Sequence, residues 1–185
     1  MNLLNRKNNV STFEVLIIII GFLWVVFFLS FFLPINQYGI VPRSTAGLIG
    51  ILLSPFLHYN FIHLLTNSIT LFILSSFLAG LEGKHSISVV FHILIWGGIG
   101  TWVIGRPHSI HIGASGVIYG IMGYLFSIGI FKRSLKTIIV SLIVFFIFGG
   151  AISGIIPGSP IISWEGHLSG FLAGIMIAWI YSKKN

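Results

Sequence analysis

"HIGASGVIYGIMGYLFSIGIF", residues 111–131, decides how the chain must be read. From Ser115 to Phe131 no residue carries a full charge. The run is long enough to cross a bilayer, which takes roughly 17–25 residues. At its head stands one hydroxyl, Ser115, with Gly113 and Gly116 close by and Gly120 and Gly123 at helical intervals after it. Small residues so spaced share one helix face and let a second helix come close.

The composition extends this reading to the whole chain. Of 185 residues, 56% are hydrophobic and only 7% charged, against about 25% charged in a soluble domain. Apolar runs cover Phe13–Leu33, Phe61–Leu81, Ile87–Ile104, Ser115–Phe131, Leu135–Ile155 and Gly166–Tyr181. The expectation is an all-α polytopic membrane protein of six transmembrane helices, one integral membrane domain over residues 1–185. The first run exceeds the 7–15 apolar residues of a signal peptide core and has no small-x-small site behind it, so it reads as a retained helix.

Basic residues set the expected orientation. Arg6, Lys7, Lys84, Lys132, Arg133, Lys136, Lys183 and Lys184 fall on one side of this topology, with Arg43 and Arg106 alone on the other. Cytoplasmic loops are enriched in Lys and Arg, which places both termini in the cytoplasm. The net charge of +7, split into short clusters between apolar runs, suits a lipid surface and not nucleic acid. Arg43 and Arg106 read as interfacial anchors. Between Pro34 and Asn60, three prolines interrupt any continuous helix. The apolar Ala46–Leu53 is too short to span and reads as an interfacial or re-entrant piece.

Polar groups inside spans are costly, so they point to function. His63 and Asn67 lie four residues apart on one face of the second span, Ser115 opens the fourth and His167 opens the sixth. All three spans start on the same side, so these groups share one layer. Gly166, Gly170 and Gly174 give the sixth span a small-residue face matching Gly116, Gly120 and Gly123 of the fourth. Paired through these faces, the two helices bring Ser115 beside His167. A serine hydroxyl becomes nucleophilic when a base within hydrogen-bond reach takes its proton, and histidine suits that role near neutral pH. The chain has no aspartate, which excludes a Ser-His-Asp triad and an aspartyl protease. Glu165 is the one acid near His167, and a two-residue dyad is the simpler scheme. The Ser115 backbone N–H, Asn67 and His63 are candidate donors to an oxyanion.

Each element has a plainer reading on its own: Ser115 as a helix cap, His167, His63 and Asn67 as interhelical polar contacts. Metal chemistry gets little support. Cysteine is absent, and no histidine is followed by the glutamate of an H-E-x-x-H site. His108 and His111 read as a solvated loop, and His85 and His92 have no assigned role. No cofactor and no metal are implied.

Taken together, "GASGVIYGIMGY", "HLSGFLAG" and "FIHLLTN" resemble the rhomboid intramembrane serine proteases in their minimal six-span form. The resemblance covers nearly the whole chain. It implies Ser115 as nucleophile, His167 as general base, and His63 and Asn67 as the oxyanion-stabilising pair. Tyr119 would pack against the catalytic histidine, with Gly113 and Gly116 supporting the serine. It further implies single-span membrane proteins as substrates, cut near the outer face, and a bacterial cytoplasmic membrane as location. One departure is the first loop, which has Pro42-Arg43 where many members have Trp-Arg. The alternative is a catalytically inactive relative that binds or escorts transmembrane segments. Such relatives typically lose the serine or the histidine, and this chain keeps both.

Overall fold

The computed structural model describes residues 11–158 and 162–183. Arg6, Lys7 and Lys184, used above for orientation, lie outside the described residues. The helices in chain order are α1 (Thr12–Leu29), α2 (Gly50–Leu53), α3 (Phe61–Glu82), α4 (Ser86–Ile104), α5 (Ser115–Lys132), α6 (Leu135–Phe148) and α7 (Trp164–Ser182). Short 3-10 turns link several of them, and the described residues hold no strand beyond one isolated bridge. The fold is an all-α bundle of membrane type.

Local chemistry sets the helix ends. Ser11 and Glu14 form a reciprocal capping box at the head of α1. Asn60 accepts from the His63 backbone N–H at the head of α3, and Ser134 accepts from that of Thr137 at the head of α6. Between α3 and α4 the chain turns at Gly83, whose φ of +55° lies in the region that favours glycine.

Two expected spans end early. The first stops at Leu29 and not Leu33, because the Ser30 hydroxyl bonds back to the Phe27 carbonyl and Pro34 follows shortly after. The fifth stops as an α-helix at Phe148, where Gly149-Gly150 weakens it, and continues as a 3-10 helix to Ile155. Among the described residues, four stretches are long and apolar enough to cross a membrane: Thr12–Leu29, Phe61–Ile104, Ser115–Lys132 and Leu135–Ile155. The 44-residue stretch Phe61–Ile104 is the pair α3 and α4 joined by a 3-10 turn. α7 falls outside that set, and its first turn carries Glu165 and His167. It is enclosed instead, packing most extensively on α5 and next on α4.

α5 is the most enclosed of the spans, while α6 exposes most of its apolar side chains. In water such a surface would be prohibitive; against lipid it is the expected exterior. The glycine faces of α5 and α7 interlock. A Cβ on Gly170 would overlap the Gly116 carbonyl, and one on Gly174 would overlap that of Gly120. The backbones therefore touch where any side chain would hold them apart.

The long first connection folds as a helical run over residues 45–56, broken into 3-10 and α turns. It packs on α4, with Ile51 seated where Gly98 lacks a side chain. Arg43 adopts φ +58° and donates from Nη1 to the carbonyls of Val103 and Gly105, capping the end of α4. Arg43 itself stays exposed at this end of the bundle. A backbone bridge, Ile40 to His111, joins this connection to the loop ahead of Ser115.

Candidate active site

α5 and α7 begin at the same end of the bundle, and their first turns bring Ser115 and His167 together. Ser115 Oγ lies 2.9 Å from His167 Nε2. The other imidazole nitrogen, Nδ1, donates to the Gly154 carbonyl at 3.0 Å. That bond assigns the tautomer: with the proton on Nδ1, Nε2 is left to accept from the serine hydroxyl. The ring stacks on Tyr119 with centroids 4.1 Å apart and an 8° interplanar angle. Tyr119 Oη donates in turn to the Ala151 carbonyl at 2.8 Å.

The head of α3 closes the other side. Gly113 has φ +114° and donates its N–H to the Ser54 carbonyl at 2.8 Å. A Cβ there would stand 2.6 Å from His63 Nε2 and 3.4 Å from Asn67 Nδ2. Glycine is thus required twice, by backbone conformation and by the two side chains covering it. His63 and Asn67 face the turn that delivers Ser115, whose own N–H opens a helix and has no partner within it.

Three features lay beyond the motifs. His58, 1% exposed, accepts from Asn67 Nδ2 through Nε2 at 3.0 Å. Its ring meets the His63 ring edge-on at 4.9 Å. Burial, and secondarily His63, lower its pKa to about 4, so it is neutral and able to accept. The second is the 3-10 helix Gly149–Ile155, whose Ala151 and Gly154 carbonyls hold Tyr119 and His167. A backbone acceptor leaves no side-chain signal; the only local hint is the glycine content of "GGAISG".

The third is the network before α7. Glu165, 0% exposed, receives Arg106 Nε at 2.7 Å and the Arg106 backbone N–H at 3.2 Å, both on Oε1. Arg106 Nη2 donates to the Ile162 carbonyl at 3.0 Å. Arg106 is thus tied to the head of α7 while its own side chain stays 37% exposed. His111, expected in a solvated loop, is buried. Ser109 donates to the Arg106 carbonyl and receives His111 Nε2–H at 2.8 Å, leaving His111 Nδ1 to accept from Ser163 at 2.5 Å. Burial lowers the His111 pKa, consistent with a neutral ring. His108 is exposed with φ +59°. His85 lies in the turn before α4, and His92 bonds the Ser88 carbonyl on α4.

These features define a class: a polytopic helical membrane protein holding a hydrogen-bonded serine and histidine on adjoining helices. A family model described as a rhomboid domain matches residues 45–184. An uncharacterised Mycobacterium tuberculosis protein, Rv1337, is 42% identical over 155 residues, covering 78% of this chain. A Mycobacterium leprae protein, ML1171, is 37% identical over 159 residues, covering 80%. These matches span 63% and 62% of the relatives' own lengths. A Bacillus subtilis protein provisionally named rhomboid protease YdcA is 29% identical over 198 residues, covering 97% of this chain and 96% of its own. The chain belongs to the rhomboid family, and it is an integral membrane protein.

Proposed function

We propose that this protein is an intramembrane serine endopeptidase that hydrolyses peptide bonds in or near the transmembrane helices of single-span membrane proteins. The observation carrying the reading is the hydrogen bond from Ser115 Oγ to a His167 ring whose other nitrogen is occupied by the Gly154 carbonyl. Ser115 Oγ attacks the scissile carbonyl as His167 Nε2 takes its proton. The oxyanion forms near the Ser115 N–H, Asn67 Nδ2 and His63. On collapse the C–N bond breaks, and His167 returns the proton to the leaving amine. Water, deprotonated by the same histidine, then hydrolyses the acyl-enzyme and restores the serine. A substrate helix must unwind first, because its carbonyls are otherwise hydrogen-bonded within the helix.

The reading includes Gly113 and Gly116 as supports of the serine turn, and Tyr119 as support of the base. No cofactor takes part, and the surrounding partner is membrane lipid. The location is a bacterial cytoplasmic membrane with both termini inside, supported by the basic residues of the inner loops.

The test is reconstitution in liposomes with a helical membrane substrate. Cleavage is expected to disappear with Ser115→Ala and with His167→Ala, and to slow roughly 10–1000-fold with Asn67→Ala. Cleavage by Ser115→Ala at the wild-type rate overturns the nucleophile. If the wild type binds transmembrane peptides without cutting any, the non-catalytic escort reading takes its place.

A further inference from the structure

The interface that carries the dyad has an ambiguity built into it. Gly170 sits over the Gly116 carbonyl and Gly174 over that of Gly120. Both helices repeat glycine every fourth residue here, so sliding α7 by one turn, about 5.4 Å, would seat Gly170 over Gly120. Glycine faces fix how close two helices come, but a repeated face does not by itself fix how far along they meet. A slip of one turn would carry His167 out of reach of Ser115.

A unique polar contact is the usual remedy for a repetitive seam, and register is the best-attested use of a buried polar or ionic group. Such a contact stands at the head of this interface. Glu165 is in the first turn of α7, two residues before His167, and Arg106 stands two residues past the end of α4, at the start of the connection that runs on to Ser115. Oε1 of the fully buried carboxylate takes both the Arg106 Nε and its backbone N–H. Oε2 is also buried and has no hydrogen-bond partner among the described residues. The arginine is thus the carboxylate's principal counter-charge. Separating the pair by a turn would leave the fully buried carboxylate without its counter-charge, a far larger penalty than loss of the neutral His111–Ser163 contact beside it.

We propose that the Arg106–Glu165 ion pair is the register lock of α7 against the connection from α4 to α5, and through that connection against α5, and that Glu165 and Arg106 are positioning residues for the dyad. The proposal rests on the protease reading for its consequence, but not for the register itself. The chain has no cysteine, so two can be introduced without background. Both Ile130 on α5 and Leu172 on α7 point outward from the bundle. Spin labels at these sites report axial displacement, while a small fluorophosphonate probe reports the reactivity of Ser115 without any need to bind a substrate helix. The matched control is the second ion pair among the described residues, Lys132–Glu82 at 2.9 Å, which joins α3 to α5 and does not involve α7.

In Glu165→Ala the distance distribution should gain a component displaced by about 5 Å, and probe labelling should slow about 10–100-fold. Glu165→Gln, which keeps an acceptor for Arg106, should recover most of both. Glu82→Ala should lower the unfolding temperature and leave distance and labelling as in the wild type. Should Glu165→Ala not fold, Arg106→Lys offers the same comparison, because lysine keeps the charge and loses the planar fork. The lock is overturned if the folded variant keeps the wild-type distances, whatever its labelling rate. It is equally overturned if the distances shift and labelling does not slow. Wild-type protein that the probe never modifies at Ser115 overturns the protease reading instead, and the distance measurement still decides the register.

Discussion

His58 and Asn67, nine positions apart in the chain, are joined by a hydrogen bond of 3.0 Å from the amide Nδ2 to an imidazole Nε2 that burial keeps neutral. One amide hydrogen is thereby spent on His58, which fixes the plane of the group and directs the remainder of the amide. Asn67 is a proposed oxyanion donor, and His58 holds it.

His58→Ala should therefore lower kcat about tenfold with little change in KM, a smaller loss than removing the asparagine itself. His58→Gln supplies a carbonyl acceptor at similar reach and should restore part of the rate. Steady-state cleavage of a helical substrate gives both constants. Loss of substrate binding alone would contradict the assignment.

The same histidine makes the fold acid-sensitive. Its pKa is about 4 in the folded chain and near 6.5 in the unfolded one. Between those values the unfolded chain binds a proton that the folded chain refuses. The stabilisation is complete above pH 6.5 and drains away as the pH falls to 4, on the order of 3 kcal/mol in all. His111, also lowered by burial, acts in the same direction. Thermal unfolding in detergent should show the transition dropping over this window, with a shallower drop in His58→Gln.

Glycine contacts give a paired comparison. Gly170→Ala would drive a methyl into the Gly116 carbonyl, where backbone faces backbone and neither can rotate away. It should cost about 1–3 kcal/mol or more and slow cleavage as α5 and α7 part. At Gly80 a Cβ would meet nothing within 4 Å. Gly80→Ala should be neutral or stabilise by about 0.5–1 kcal/mol, from the lower entropy cost of an alanine helix. Unfolding temperatures of the two variants separate these expectations.

Much of this was legible before any coordinates. Apolar run length and all-round hydrophobicity announced the helices, and the four-residue glycine repeats announced which two would meet. The ends of the runs were less visible, because a carbonyl bonding three residues ahead instead of four leaves composition unchanged; Leu135–Ile155 reads as uniform although it changes helix type at Gly149. Three parts of the site gave no readable signal. His58 stood among seven histidines with no spacing to distinguish it. The Gly154 and Ala151 acceptors are main-chain atoms. Arg106 and Glu165 lie 59 positions apart, and one arginine on an expected surface says nothing about its partner.

Tyr119 separates ring from hydroxyl. Tyr119→Phe keeps the stack on His167 and loses only the bond to the Ala151 carbonyl, so its labelling rate should stay within about threefold of wild type. Tyr119→Leu removes the stacked ring and should slow labelling about tenfold, the kinetic equivalent of a contact worth about 1.4 kcal/mol. Equal rates in the two variants would show that the face of the ring contributes nothing.

The Gly154 carbonyl that holds His167 Nδ1 carries one more implication. Where a carboxylate steadies a histidine, a single codon change can delete it. A main-chain oxygen survives every substitution at its own position and can be lost only by moving the peptide that bears it. The orientation of this imidazole is thus inherited from the path of the chain between α6 and α7, and that path, more than any one side chain, is what selection must preserve.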